Sequence, residues 1–306
     1  MRALACPASL KGVLGASAAA AALGEGLRRG GADVVELPVA DGGEGTVDVL
    51  HRARGGTWRE VAVRDAFGEP RQARWLELAD GTAVVEAAEA IPLDPSRLDP
   101  MRASSRGLGE LIAAVGRPES LLICLGGTAN VDGGGGLREV VTALPAPTRV
   151  ACDALVPLVD AARLFAPQKG ASPGQVEELA ARLAGMTELA PYAELPGAGA
   201  AGGLGAALAA LGAELQPGAA LVLDEIGFDA TGFELVATGE GQVDRTTATG
   251  KAPGEVARRC RAVAVRCVVF GGRIVEPLEG VENVALSGDP SRARVDLLEL
   301  GERLAG

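Results

Sequence analysis

Residues 32–46 read ADVVELPVADGGEGT, and residues 1–9 read MRALACPAS. Arg2–Cys6 is a short apolar run of strand character. Ser17 is placed to cap a helix through Arg29, and Gly30-Gly31 would end it. Val34–Val39 is a second strand. Gly45 to about Arg54 then reads as a helix, with Thr46, Val49, Leu50 and Ala53 on one face. A β-α-β-α opening of this kind starts a doubly wound parallel sheet. Ligands of such sheets sit beyond the carboxyl ends of the strands, where Pro7–Lys11 and Ala40–Gly45 fall.

The pattern changes after residue 57. Trp58–Arg64, Gln72–Leu78 and Thr82–Ala87 read as an antiparallel meander with glycine-containing turns. A helix from Ser105 to about Ala114 precedes the strands Leu121–Leu125 and Arg149–Cys152. Gly174 to about Leu211 is mostly helical and alanine-rich. Strand and helix then alternate again. Phe233–Ala237 is a strand ending in a Thr238-Gly239-Glu240-Gly241 loop, Gly254–Arg261 a helix, Val265–Phe270 and Val284–Leu286 strands, and Ser291–Leu304 the closing helix. The expected architecture is α/β with two domains. A flavodoxin-like doubly wound domain is built from residues 1–56 and 233–306. A mixed α+β domain, 57–232, is inserted in it, with a cleft between the two.

Composition narrows the function. The 306 residues are 48% hydrophobic but only 3% aromatic, so the core must be built from Ala, Leu and Val. A net charge of −11 without a Lys/Arg cluster argues against nucleic acid and anionic membranes as partners. No CxxC or Cys/His group occurs among the five cysteines, and His51 is the single histidine, expected on a helix surface. A zinc site or Cys–His nucleophile pair is therefore not expected, and a general base must be Asp, Glu or Lys. Pro7 and Lys11 interrupt the first apolar stretch before it reaches signal-peptide length, and no run is long enough to span a membrane. A cytoplasmic protein is the expectation. Nothing sets the oligomeric state, and a homodimer is compatible with the sequence.

Five blocks pair bare backbone with a charged group. They are Val39–Thr46, Gly126–Gly134, Pro167–Ala171, Gly197–Gly205 and Thr238–Asp244. Glycine lets backbone N–H groups approach an anion closely, and neighbouring carboxylates can hold a metal or accept a proton. This combination points to phosphoryl transfer, which needs positioning and charge neutralisation more than covalent chemistry. Lys11, Lys169 and Lys251 lie in or beside blocks and could clamp phosphates or a substrate carboxylate. Asp153 directly follows a strand and is assigned first as general base. Asp244 is the second choice, either as base or as Mg2+ ligand, and Asp132 is a further metal candidate. Gly42, Gly43, Glu44, Gly126, Gly127, Gly199, Gly202, Gly203, Gly239, Glu240, Gly241 and Lys251 are the candidate nucleotide contacts. The bland alternatives are helix caps for the acids, solvated surface for the lysines and close helix packing for Gly197–Gly205. Two familiar motifs fail. Gly197-Ala198-Gly199-Ala200-Ala201-Gly202 spells a dinucleotide fingerprint but follows Pro196 rather than a strand. Thr249-Gly250-Lys251-Ala252 lacks the upstream glycine and the Ser/Thr of a P-loop.

In combination, VADGGEGT, PQKGA, GAGAAGGLGAAL and the Thr238–Pro253 block resemble the bacterial type I glycerate kinases. The matches run in the family's order from residue 1 to about 255. This resemblance implies ATP-dependent, Mg2+-assisted phosphorylation of D-glycerate to 2-phosphoglycerate. Several positions depart from the family pattern. Ala8 stands where the family carries Asp, Val131 replaces an amide, Val156-Pro157 replaces Asn-Pro, and Thr246-Thr247 replaces Gln-Thr. The stretch between Gly136 and Arg149 is also short. These changes keep two other readings open, a kinase of another small hydroxy acid and a non-catalytic binding relative.

Overall fold

The computed structural model describes all 306 residues. The chain opens with β1 (Arg2–Ala5), α1 (Ala16–Arg29), β2 (Asp33–Glu36) and α2 (Thr46–Arg54). Next come β3 (Thr57–Arg64), β4 (Pro70–Glu77), β5 (Thr82–Glu86) and the short α3 (Ala87–Ala90). The middle holds α4 (Arg106–Ala114), β6 (Ser120–Cys124), α5 (Gly135–Arg138), β7 (Thr148–Cys152), α6 (Ala161–Phe165), α7 (Pro173–Ala184), α8 (Ala200–Ala210) and β8 (Glu214–Pro217). The last part holds α9 (Gly218–Glu225), β9 (Leu235–Val243), α10 (Arg245–Ala248), α11 (Ala252–Ala262), β10 (Arg266–Ile274), β11 (Glu282–Ala285) and α12 (Ala293–Ala305).

These elements form two compact units. Unit 1 comprises Met1–Asp41, Asp48–Ala53 and Ala219–Gly306, and unit 2 comprises Gly42–Val47 and Arg54–Gly218. Unit 1 carries a five-stranded, wholly parallel sheet in the order β11-β10-β9-β1-β2. Counted within the unit, this is the flavodoxin-like order 2-1-3-4-5. β1 and the first halves of β9 and β10 are apolar and mostly buried, the character of strands covered on both faces, whereas the edge strands β2 and β11 are not buried. On one face Leu23 and Leu27 of α1 meet Leu297 and Leu300 of α12, packed with Ala3, Ala5, Leu235, Val268 and Phe270. Unit 2 carries a six-stranded mixed sheet, β3-β4-β5-β6-β7-β8. The β3–β4–β5 meander is antiparallel, and β5 to β8 run parallel. A buried cluster around Val85, Leu108, Leu111, Ile123 and Leu208 forms its core.

Four local expectations need correction. Ser17 lies inside α1, and Gly15 takes the cap position. The second strand stops at Glu36. The expected loop at Thr238–Gly241 is strand, because β9 stays paired with β10 from Leu235↔Arg266 to Val243↔Ile274. Gly239 is tolerated there because a Cβ at that position would stand 2.2 Å from the Phe270 carbonyl oxygen. Finally, β8 and α9 had no counterpart in the sequence reading. No helix is long and apolar enough to cross a membrane.

Candidate active site

In unit 2 the structure gathers the Gly42–Thr46 part of the first block, the start of the Gly126–Gly134 block and Asp153 at the carboxyl ends of β6 and β7. The Gly126 amide donates to the Gly42 carbonyl at 3.0 Å. A Cβ on Gly126 would stand 2.5 Å from Gly43 Cα and 2.8 Å from Asp153 Oδ2. The Asp153 carboxylate thus lies flush against bare backbone directly after β7, half-buried. Gly127 has φ +78 and sits beside Glu44, with 3.3 Å between its would-be Cβ and the Glu44 Cβ. The start of α2 is a natural anion site, but the chain fills it itself. Glu86, buried at the end of β5, accepts the Gly45 and Val47 amides at 2.9 and 3.1 Å. Thr46 Oγ1 donates to the Gly43 carbonyl at 2.6 Å and tightens the same turn.

Lys169 is buried within unit 2 at the end of a single 3-10 turn, Pro167–Lys169. Its Nζ donates to the Asn130 carbonyl at 2.7 Å. Burial pulls the ammonium from its ordinary 10.5 to about 8, against the opposing pull of Asp153 and Asp132. The same Asn130 carbonyl explains the glycine run that follows. Ala201, Gly202 and Gly203 all adopt left-handed backbone, and a Cβ on Gly202 would stand 2.3 Å from Asn130 O. A Cβ on Gly199 would likewise stand 2.4 Å from Pro157 O, and one on Gly203 2.9 Å from Gly133 Cα. These glycines therefore close-pack the interior around the Thr128–Asp132 block.

Asp132 is engaged inside that block. Its Oδ2 accepts the Ser105 amide and hydroxyl, both at 2.8 Å, and the Gly136 amide at 3.1 Å. Its Oδ1 accepts the Asn130 amide side chain at 2.9 Å and the Gly134 amide at 3.2 Å. Five donors exceed the four lone-pair directions of a carboxylate, so Asp132 does not fit a metal-ligand role. Two other atoms of the block, Thr128 Oγ1 and Asn130 Oδ1, are buried without a hydrogen-bond partner. Such orphans carry a desolvation cost and mark the block as unusual.

In unit 1, Lys11, Glu240, Gly241, Asp244 and Lys251 line one cavity of about 680 Å3 at the carboxyl ends of the strands. Glu240 accepts Lys251 Nζ at 3.1 Å and Thr247 Oγ1 at 2.8 Å. Burial raises its pKa, with Lys251 working against the rise. Asp244 caps α10. It accepts the Thr246 hydroxyl and amide at 2.6 and 2.8 Å and the Gln242 amide at 2.9 Å. The Thr246 hydroxyl is the main cause that holds Asp244 down to about 2, so it stays ionised at any working pH. No group of three or more His, Cys, Asp or Glu side chains gathers in a metal-holding arrangement. Mg2+ usually takes one or two protein carboxylates and completes its shell with phosphate and water. Asp244 fits that pattern as a single ligand.

The structure thus brings the sequence candidates into two sets, one in each unit. Sequence reasoning missed Arg273, which lines the unit 1 cavity, and Glu86. The only signal for Arg273 was a Gly271-Gly272-Arg273 tail after a strand.

The model of the glycerate kinase family matches residues 3–146 and 140–288. The two matches overlap over residues 140–146. Glycerate 2-kinase of Escherichia coli strain K12 is 38% identical over 308 residues, covering 83% of this chain and 80% of that protein. Glycerate kinase of Bacillus subtilis strain 168 is 34% identical over 328 residues, covering 90% and 85%. A crystal structure from Salmonella typhimurium LT2, of a protein assigned as glycerate kinase 2, superposes with a TM-score of 0.80. It is 29% identical and covers 100% of this chain and 97% of that one. With most of its length matched, both in sequence and in backbone, the chain belongs to the glycerate kinase family.

Proposed function

We propose that this kinase transfers the γ-phosphoryl group of ATP, with Mg2+, to D-glycerate and yields 2-phosphoglycerate. The observation that carries the reading is the Asp153 carboxylate, set against the bare Gly43–Gly126 backbone and electrostatically coupled to the buried Lys169. In this reading Asp153 accepts the proton of the attacking hydroxyl. Gly42, Gly43, Glu44, Gly126 and Gly127 give the ligands close access to backbone. Lys169 adds positive charge beside the reacting groups and, with Gly199, Gly202 and Gly203 packed behind it, fixes the Asn130 loop. Lys11 and Lys251 neutralise phosphate charge, Gly241 leaves room for it, and Gly239 lets β9 and β10 close beneath. Glu240 orients Lys251, and Asp244 would hold Mg2+, which would supply charge neutralisation to the phosphates.

Asp153→Asn tests the assignment. An ADP-release assay with D-glycerate, L-glycerate and no-acceptor controls should show turnover lowered by about 100-fold or more, with an unchanged circular dichroism spectrum. Normal turnover would remove Asp153 from the role of base. Phosphorus NMR of the product distinguishes 2- from 3-phosphoglycerate. A second reading, a kinase of another small hydroxy acid, is favoured by the apolar Val131 and Val156. A hydroxy-acid panel separates the two, since D-glycerate would then be a poor acceptor.

A further inference from the structure

Three parallel strand ends of unit 2 lie in one row. Glu86 of β5 pairs with Cys124 of β6, and Cys124 pairs with Ala151 of β7. Gly126 and Asp153 each stand two residues beyond that row. The turn Gly42–Val47, part of the same unit, crosses all three ends. At β7 a Cβ on Gly42 would stand 2.7 Å from the Ala151 carbonyl oxygen. At β6 the Gly42 carbonyl accepts the Gly126 amide at 3.0 Å. At β5 a side chain holds the turn. Glu86 Oε1 accepts the Gly45 amide at 2.9 Å, and Oε2 accepts the Val47 amide at 3.1 Å.

Little in the turn itself fixes its shape. Gly42 and Gly45 take left-handed backbone, φ +90 and +86, and glycine visits other conformations at little cost. Two clasps restrict it. Thr46 Oγ1 donates to the Gly43 carbonyl from inside the turn. Glu86 anchors it from outside, on a strand paired with β4 on one side and β6 on the other. Glu86 is buried, so bulk water does not compete for its oxygens. Each oxygen takes one amide at the positive end of the nine-residue α2, an arrangement that favours a carboxylate. The backbone these clasps hold is the surface on which Asp153 rests. A Cβ on Gly126 would stand 2.5 Å from Gly43 Cα and 2.8 Å from Asp153 Oδ2.

We infer that Glu86 is a positioning residue for phosphoryl transfer, with Thr46 as its second clasp. Through the Gly45 and Val47 amides it holds the Gly42–Gly43 backbone, and that backbone sets where the Asp153 carboxylate stands. Glu86 touches neither substrate nor nucleotide in this role. The inference rests on the reading of Asp153 as the base. Displacing a reacting group by about 1 Å can cost about 100-fold in rate. A loosened turn therefore lowers kcat in a protein that stays folded, whereas loss of a plain helix cap shows in the melting curve alone.

Steady-state ADP release by the full chain with D-glycerate, ATP and Mg2+ tests it, with a melting curve for each variant. Glu86→Gln keeps the size of the side chain but turns an NH2 group toward one of the two amides. Its kcat should fall about 10- to 100-fold, with the KM for ATP changed less than about twofold. Thr46→Val should lower kcat about 3- to 10-fold, the range of one lost hydrogen bond. Thr46→Ser, which restores the hydroxyl, should recover it. Combined with Asp153→Asn, Glu86→Gln should slow the enzyme less than about twofold further, because residues acting through one group do not add. Thr46→Val takes the place of Glu86→Gln throughout if the latter does not fold. Suppose Asp153→Asn is impaired while Glu86→Gln and Thr46→Val turn over like the wild type, or the Glu86→Gln loss recurs in full beside Asp153→Asn. Glu86 is then a helix cap only, and the reading of Asp153 as base stands. If Asp153→Asn turns over normally, that reading falls and this inference falls with it.

Discussion

Lys169 shows how one buried cation links stability to pH. In the folded protein its pKa is about 8, and in the unfolded chain it returns to about 10.5. Below pH 8 the side chain is charged in both states, and the cost of burying the charge is present in full. Between about pH 8 and 10.5 the unfolded chain still holds a proton that the folded chain has released. Unfolding then takes up a proton, so this group's contribution becomes more favourable to folding as pH rises. The span corresponds to a relief on the order of 3 kcal/mol. Lys169→Met removes the titration. Urea unfolding at pH 7, 8.5 and 10 should therefore show wild-type stability gaining on that of the variant as pH increases. Parallel pH profiles would mean that Lys169 titrates normally in the folded state. The same residue also marks a limit of reading sequence. That a lysine stands within a glycine block, beside Gly170, was legible. That its ammonium holds a backbone carbonyl 39 residues away depends on β6 and its following loop meeting the Pro167–Lys169 turn, which no local pattern encodes.

At the scale of elements, α8 depends on its entry turn. Gly202 combines φ +66 with an approach of 2.3 Å between its would-be Cβ and Asn130 O. Gly202→Ala must therefore displace the carbonyl that Lys169 binds. A cost of about 2–4 kcal/mol is expected, from overpacking together with left-handed backbone strain, and turnover should fall with it. Gly174 in α7 provides the contrast, since nothing lies within 4 Å of its would-be Cβ and its backbone is helical. Gly174→Ala should leave turnover unchanged and stabilise by up to about 1 kcal/mol. Similar losses in both variants, by urea titration and ADP release, would show that the interior packing at Gly202 is not special. Element by element, the amphipathic helices were legible because each buries one regular face, and the β3–β5 meander because glycine-containing turns separate its strands. The strand β8, Glu214–Pro217, was not. It has no apolar alternation and exists because β7 offers a parallel edge. The Gly239–Gly241 stretch looked like a loop because glycine is rare in strands, whereas here Gly239 makes room for the Phe270 carbonyl and ring.

At the scale of the whole molecule, the two ends of the chain fold together. β1 lies between β2 and β9, and α1 packs along α12. The sequence announced this through its return to alternating strand and helix near the C-terminus, and the flavodoxin-like order follows from the pairing itself. The topology makes unit 1 testable as a cooperative body. Leu297 in α12 is fully buried in the cluster that contains Leu23 and Leu27 of α1. Leu297→Ala should cost about 2–4 kcal/mol through lost burial and the cavity left behind. At a tenfold change per 1.4 kcal/mol, amide exchange through unit 1 opening should speed up about 30- to 1,000-fold. If unit 1 opens as one body, the acceleration must reach β1, α1 and β2 as well as β9, β10 and α12, although the N-terminal strands lie far from Leu297 in sequence. Hydrogen exchange by mass spectrometry reads this directly, peptide by peptide. Acceleration confined to α12 would show that the helix detaches on its own. The pairing of β1 with β9 would then hold the two chain ends together without it.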